Sequence, residues 1–295
     1  MLRKIKIIFL SIIAIVSVWL LWSLFSHRMP WQDYSQCDKH LTVLTYNTQG
    51  MAVSEGLSFK KDMLQYINDI DADVVCLQEV LVYKKKGQFT LSMLCDAMSK
   101  YKYTYFDFKV HNSKRQFGNV VFSRYPLINK ETIRYQSKAN ISSQCDVVVG
   151  EDTLRLMVNH LESFHFSDKD LNLEELNVNN WQGSSLVRKL IRANRLRQKQ
   201  VGVLQQAIRK SPYPVVAVGD FNSLPISWAY WRMNLGMHDC FAESSFGRYG
   251  GTYQRKGIRA RIDYIFTSRS LKPISCEIGE AEFSDHYPII GTLGW

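Results

Sequence analysis

The sequence predicts an α/β sandwich, on three observations. Short apolar, β-branched runs recur along the chain and outnumber the stretches with helical periodicity. They do not alternate regularly with helices, as a Rossmann sheet requires. Neither a GxGxxG turn nor a P-loop is present. The 295 residues are 46% hydrophobic and 13% aromatic, a composition that supplies a core and excludes broad disorder.

The first element is a predicted transmembrane helix preceding the sandwich. Ile5–Phe25 carries a single charge, Lys6, and as a helix would extend about 31 Å, close to a bilayer's hydrocarbon thickness. Trp19 and Trp22 fall near one end, where interfacial aromatics belong. A cleaved signal peptide needs a shorter apolar region and a small-x-small site, and Leu24–Arg28 offers none. Residues 1–30 are therefore read as a signal anchor and 31–40 as a linker, with the folded domain over 41–295. Arg3, Lys4 and Lys6 precede the span, so the positive-inside rule places the domain in the periplasm or outside the cell.

Within the domain, Leu41–Tyr46 reads as the first strand. Phe59, Met63, Tyr66, Ile67 and Ile70 share one face of a helix that packs on the sheet. Val74–Leu77, Tyr103–Phe108, Asn119–Phe122 and Leu154–Val158 are further strands, the third bounded by Gly118 and Pro126. Residues 164–187 are polar and irregular and read as an inserted loop or lid. Arg188–Lys210 is a basic amphipathic helix with Leu190, Val201, Leu204 and Ile208 along one face. Val215–Val218, Arg261–Phe266 and Ile289–Leu293 complete the strands.

A net charge of +10 suits an anionic partner: nucleic acid, a phosphorylated metabolite or acidic lipid headgroups. The six cysteines (37, 76, 95, 145, 240, 276) show no zinc-like spacing, and an exported domain has room for one or two disulfides among them.

Chemistry concentrates at strand ends. Val215–Val218 leads into Gly219-Asp220-Phe221-Asn222, whose acid and amide project to one side of an extended backbone. Asn47 ends the first strand, Glu79 the second and His160 a later one. Asp263 lies in a β-branched and aromatic run where an unpaired carboxylate is expensive, and Asp285-His286 precedes the last strand. Any one of these residues alone fits a turn or a solvated strand end. Their recurrence in one chain points to a single polar site.

The ordered segments T-Y-N47, L-Q-E79, N-H160-L, G-D220-F-N222, R-I-D263-Y-I and S-D285-H286-x-P resemble the endonuclease/exonuclease/phosphatase (DNase I-like) superfamily, as does Gly118–Pro126. The likeness runs from about residue 41 to 293. It implies a four-layered α/β sandwich with its loops gathered at one edge, and hydrolysis of a phosphoester with Mg²⁺ or Mn²⁺. On that reading Glu79, Asn47 and Asp285 hold the metal through hard oxygen donors. His286, oriented by Asp263, activates water, with Asp220 as the alternative proton acceptor. Asp220 and Asn222 position water and phosphate, and His160 donates to a phosphate oxygen or the leaving group. Asn119, Arg259 and Arg261 are read as substrate contacts. The stretch holding Arg255, Lys256, Arg259 and Arg261 fits either a phosphate-contacting loop or a solvated basic one. A phosphoester is the expected substrate, in nucleic acid or a phospholipid headgroup, and no protein partner is inferable.

Overall fold

The computed structural model describes residues 11, 14–19, 37–135, 137, 140–164, 185–244, 248, 250–255 and 257–295. Most of the predicted anchor, most of the linker and residues 165–184 of the predicted lid lie outside the described residues. Among the described residues no helix is long and apolar enough to cross a membrane.

Two six-stranded sheets face each other. The first runs β13 (Lys272–Ile278), β14 (Ile289–Gly294), β1 (His40–Asn47), β2 (Val74–Tyr83), β4 (Arg115–Ser123), β3 (Tyr103–His111). The second runs β5 (Leu127–Arg134), β6 (Ile141–Val149), β7 (Asp152–His160), β8 (Val215–Asp220), β12 (Asp263–Ser268), β9 (Met237–Asp239). Each sheet has one parallel pair near its middle, β1 with β2 and β7 with β8. A separate hairpin joins β10 (Tyr253–Arg255) to β11 (Ile258–Ala260).

Side-chain alternation makes four layers from these sheets. Inward residues such as Val43, Cys76, Val121, Val158, Val218 and Ile265 fill the space between them. The other face of the first sheet, with Leu44, Val75 and Phe122, is covered by Met63, Leu64 and Ile67 of α1 (Leu57–Asp69) and Leu94 of α2 (Leu91–Ala97). The other face of the second, with Met157, Ala217 and Phe266, is covered by Val201 and Leu204 of α3 (Ser185–Lys210) and Tyr230 and Met233 of α4 (Trp228–Asn234). Each buried Val or Leu adds roughly 1.5–3 kcal/mol relative to exposure. α3 ends on Arg209 and Lys210, whose charges suit the negative end of the helix dipole.

Several predicted elements change at their edges, and others were not read at all. β2 does not end near Glu79. It continues to Tyr83 through a bulge whose register shift falls between Leu77 and Val80. β5 escaped notice because it is an exposed edge strand without polar alternation, and β6 because it buries Ser142, Ser143, Gln144 and Asp146. Most of those polar groups are satisfied across strands, the buried Gln144 Oε1 excepted. Ser143 Oγ donates to Asp107 at 2.7 Å, Ser142 Oγ donates to Asn159 at 2.7 Å, and Arg155 pairs with Asp146. All six cysteines are free thiols, five of them buried.

Candidate active site

The catalytic candidates meet because strand registers align their ends. His160 closes β7 opposite Asp220 of β8, and Asp220 lies opposite Asp263 of β12. Three chemistry-bearing residues thus stand side by side at one edge of the second sheet. Across the gap, Asn47 ends β1 opposite Gln78 of β2. The bulge sets Glu79 at φ 55°, and Asn222 takes φ 49° just past β8. Backbones held in this left-handed region mark sites where geometry overrides local preference. Gly219 has φ 123° and lies so close to Asn159 that a Cβ would sit 2.1 Å from its carbonyl oxygen. Only glycine permits β8 to approach β7 there.

Hydrogen bonds then fix each side chain. Asn47 Nδ2 donates to Glu79 Oε1 at 3.3 Å and to Asp220 Oδ2 at 3.1 Å, which ties the two sheets together. Asn222 gives Asp220 two more donors, its backbone N–H at 2.7 Å and its Nδ2 at 2.9 Å. His160 Nε2 lies 3.2 Å from Glu79 Oε1. His286 Nδ1 lies 2.9 Å and 3.1 Å from the two Asp263 oxygens, leaving Nε2 3.9 Å from Asp220 and 4.0 Å from Asp285. Thr252 completes the set, donating to Asp263 Oδ2 at 2.7 Å while accepting the N–H groups of Ile262 and Asp263 at 3.1 Å.

Burial and charge set the protonation states. Burial pulls His286 down, but the charge and hydrogen bond of Asp263, with Asp220 and Asp285 behind, carry it up to about 10. Burial and the neighbouring Asp263 charge push Asp220 up to about 6 against the two histidines. Burial works to raise Glu79 as well, yet the hydrogen bond and charge of His160 hold it at about 2. His160 is itself raised, its burial outweighed by Glu79. Asp285 is raised by burial and by Glu79 across from it, with His286 opposing.

Two donor sets compete for a metal. Oxygen and nitrogen atoms of Asp220, Asp263 and His286 lie within 4.8 Å of one another. That group is already satisfied internally, since both Asp263 oxygens face His286 and one also takes the Thr252 hydroxyl. Glu79 and Asp285 fit a hard divalent cation better. Both line the cleft, both are oxygen donors, and the Glu79 charge opposes ionisation of Asp285. Asn47 lines the same wall, with its oxygen taking the Gln49 N–H at 3.0 Å.

These residues open into a cleft of about 450 Å³. Gln49, Tyr253 and Arg255 form part of its polar rim, and Phe164, Leu224 and Ile262 give it an apolar wall. Tyr253 packs edge-on to His286 at 5.0 Å. Beneath the wall, Arg197 is buried, donates to Glu162 O at 3.0 Å and stacks on Phe164 at 3.9 Å.

Two of the three predicted substrate contacts are corrected. Arg261 is 1% exposed and bonded to Asp239 at 2.6 Å amid the rings of Tyr230, Phe241 and Tyr264, so it holds the core and not a substrate. Asn119 is likewise 1% exposed, donating to Ser143 Oγ and Val158 O at 3.1 Å between the sheets. Arg259 is exposed, with its guanidinium 4.9 Å from the Tyr287 ring, but Arg255 is the arginine that lines the cleft. Thr252 and Arg197 were missed because their partners lie far away in sequence or on another element.

Comparison with known proteins follows the same span. Residues 44–286 match the Endonuclease/Exonuclease/phosphatase family. The chain belongs to this family. Its members are metal-dependent phosphodiesterases, nucleases and phosphatases, and the chain is a hydrolase acting on ester bonds. Solved structures share the fold at low identity. An endonuclease/exonuclease/phosphatase family protein from Leptotrichia buccalis superposes with a TM-score of 0.62 at 15% identity, covering 86% of this chain and 100% of that one. A truncated TDP2 from Caenorhabditis elegans gives 0.61 at 16%, covering 87% and 98%. The human Nocturnin catalytic domain, with bound sulfate anion, gives 0.61 at 18%, covering 88% and 94%. A sequence comparison with curated proteins finds no match.

Proposed function

We propose that the chain is a membrane-attached, Mg²⁺- or Mn²⁺-dependent phosphodiesterase, with a nucleic-acid backbone as the favoured substrate. The observation that carries this reading is the convergence of Glu79, Asn47, Asp220, Asn222 and the Asp263–His286 pair around one cleft. Glu79, Asp285 and Asn47 would hold the cation, which would offset charge on the phosphoryl oxygens and weaken the field that keeps His286 protonated.

The chain's own groups do the rest. Asp263 and Thr252 lock the imidazole so that Nε2 faces Asp220 and the cleft. His286 and Asp220 together orient a water and take its proton, Asp220 being fixed in direction by three donors from Asn47 and Asn222. His160 steadies Glu79 through its Nε2 at 3.2 Å. Arg255 and, outside the cleft, Arg259 offer positive charge to a phosphodiester backbone.

A phospholipid-directed activity is the second reading, favoured by the apolar wall of Phe164, Leu224 and Ile262. Attachment through residues 1–30, with the domain on the periplasmic or extracellular side, is supported by the Ile5–Phe25 run and the basic residues before it. The full-length chain should be assayed with Mg²⁺, Mn²⁺ or chelator against plasmid DNA, RNA, sphingomyelin and bis-p-nitrophenyl phosphate. Metal-dependent nicking of DNA or cleavage of RNA is expected. Lipid cleavage without nucleic-acid cleavage selects the second reading, and turnover that persists in chelator contradicts both.

A further inference from the structure

The helical layer over the second sheet carries a surface that hydrolysis does not use. α3 and α4 bury Val201, Leu204, Tyr230 and Met233 in one cluster, so their opposite faces form the outside of the same layer. On α4 and its C-terminal boundary that outside consists of Trp228, Trp231 and Leu235, exposed by 47%, 49% and 70%. Two large aromatics and a leucine side by side in water are unfavourable for a free surface. On α3 the outside carries Arg192, Arg195 and Lys199, all exposed and spaced three and four apart. Trp19, from the apolar N-terminal run, stacks on Trp231 with ring centroids 5.6 Å apart.

We propose that this face lies on an anionic bilayer, with Trp228, Trp231 and Leu235 in the interfacial zone and Arg192, Arg195 and Lys199 at the headgroups. Tryptophan favours that zone because its ring is apolar and its N–H keeps a polar partner. Lys and Arg near an anionic leaflet are attracted within a Debye length of it. The Trp19–Trp231 stack joins the patch to the segment read as the anchor, so a bilayer reached by that segment also reaches the patch. Leu224 in the cleft wall is only four residues from Trp228, so docking brings the cleft rim toward the headgroups.

The inference rests on the membrane attachment of the proposed function, and the test separates the two. A nitroxide is placed at Leu235→Cys in a Cys95→Ser background of the full-length chain, in nanodiscs of phosphatidylcholine with or without phosphatidylglycerol. The label should collide with oxygen and be shielded from an aqueous nickel chelate in the anionic discs. Shielding should fall in neutral discs and in Arg192→Glu/Arg195→Glu/Lys199→Glu. Hydrolysis of soluble bis-p-nitrophenyl phosphate should be unchanged in that variant. Full nickel access in anionic discs overturns docking. Shielding independent of lipid charge and of the variant overturns it in favour of cover by the N-terminal segment. Shielding from both reagents with spin–spin broadening overturns it in favour of a second copy. Release of the chain from membranes by alkaline carbonate overturns the attachment itself.

Discussion

Two buried ion pairs begin two residues apart in this chain and serve opposite ends. Arg261 pairs with Asp239 at 2.6 Å, both about 1% exposed, inside a cage of Tyr230, Phe241 and Tyr264. Asp263 pairs with His286 at 2.9 Å, and the imidazole's other nitrogen faces a cleft. The first pair has nothing left to give. Arg261 is pushed upward chiefly by the Asp239 charge, although burial opposes this, and stays charged at any working pH. The second keeps one titratable nitrogen beside further acids, with Asp220 up at about 6. A buried charge pair becomes chemistry only where one partner retains an unused, accessible atom.

Breaking the pairs should therefore give opposite signatures. The largest effect is expected for Asp263→Ala. Loss of the orienting carboxylate should lower kcat per folded molecule by about 10²–10⁴, beyond any stability lost with the buried partner of His286. Arg261→Met should do the reverse. Leaving Asp239 buried and unpaired should lose about 3–5 kcal/mol, read as a fall in denaturation midpoint, with kcat of the folded fraction retained. Adding Asp239→Leu to Arg261→Met should recover part of that stability, because an apolar pair tolerates burial that a lone carboxylate does not, while the Tyr230 hydroxyl and the Ala242 N–H lose their acceptor.

Smaller changes sharpen the contrast. Glu79→Gln should raise the Mg²⁺ concentration needed for half-maximal activity by roughly 10–100-fold or more, the range seen when even outer partners of a metal site are lost. A titration of rate against Mg²⁺ reads it, and an unchanged midpoint assigns the metal elsewhere. Thr252→Val removes one hydrogen bond to the Asp263 carboxylate, worth about 1.5–3 kcal/mol if the partner is charged, and should lower kcat by roughly 10-fold to 100-fold with KM unchanged. A change confined to KM would place Thr252 in substrate binding.

The same contrast explains what the sequence made legible. The candidate site is legible because its residues lie mostly at the ends of apolar strands, where a polar letter after a β-branched run stands out. Asn47, His160 and Asp220 close their strands as expected. Glu79 does not end its strand as expected: a bulge turns it into the cleft. Arg261 misled because a cation in a basic stretch looks the same whether its partner is solvent, phosphate or an acid on a strand far away in the chain. Register decided that, through the Phe266–Asp239 pairing of β12 with β9. Asn119 misled likewise, its amide being used up between the sheets. The edge strand β5 and the polar β6 were invisible because their stability comes from neighbours and not from their own pattern.

The most direct test of the account is the metal-dependent turnover of His286→Ala in the full-length chain. Read on its folded fraction, the variant should hydrolyse bis-p-nitrophenyl phosphate at least about 100-fold more slowly in saturating Mg²⁺. Wild-type turnover in a folded His286→Ala protein would contradict the assignment of this cleft as the hydrolytic site.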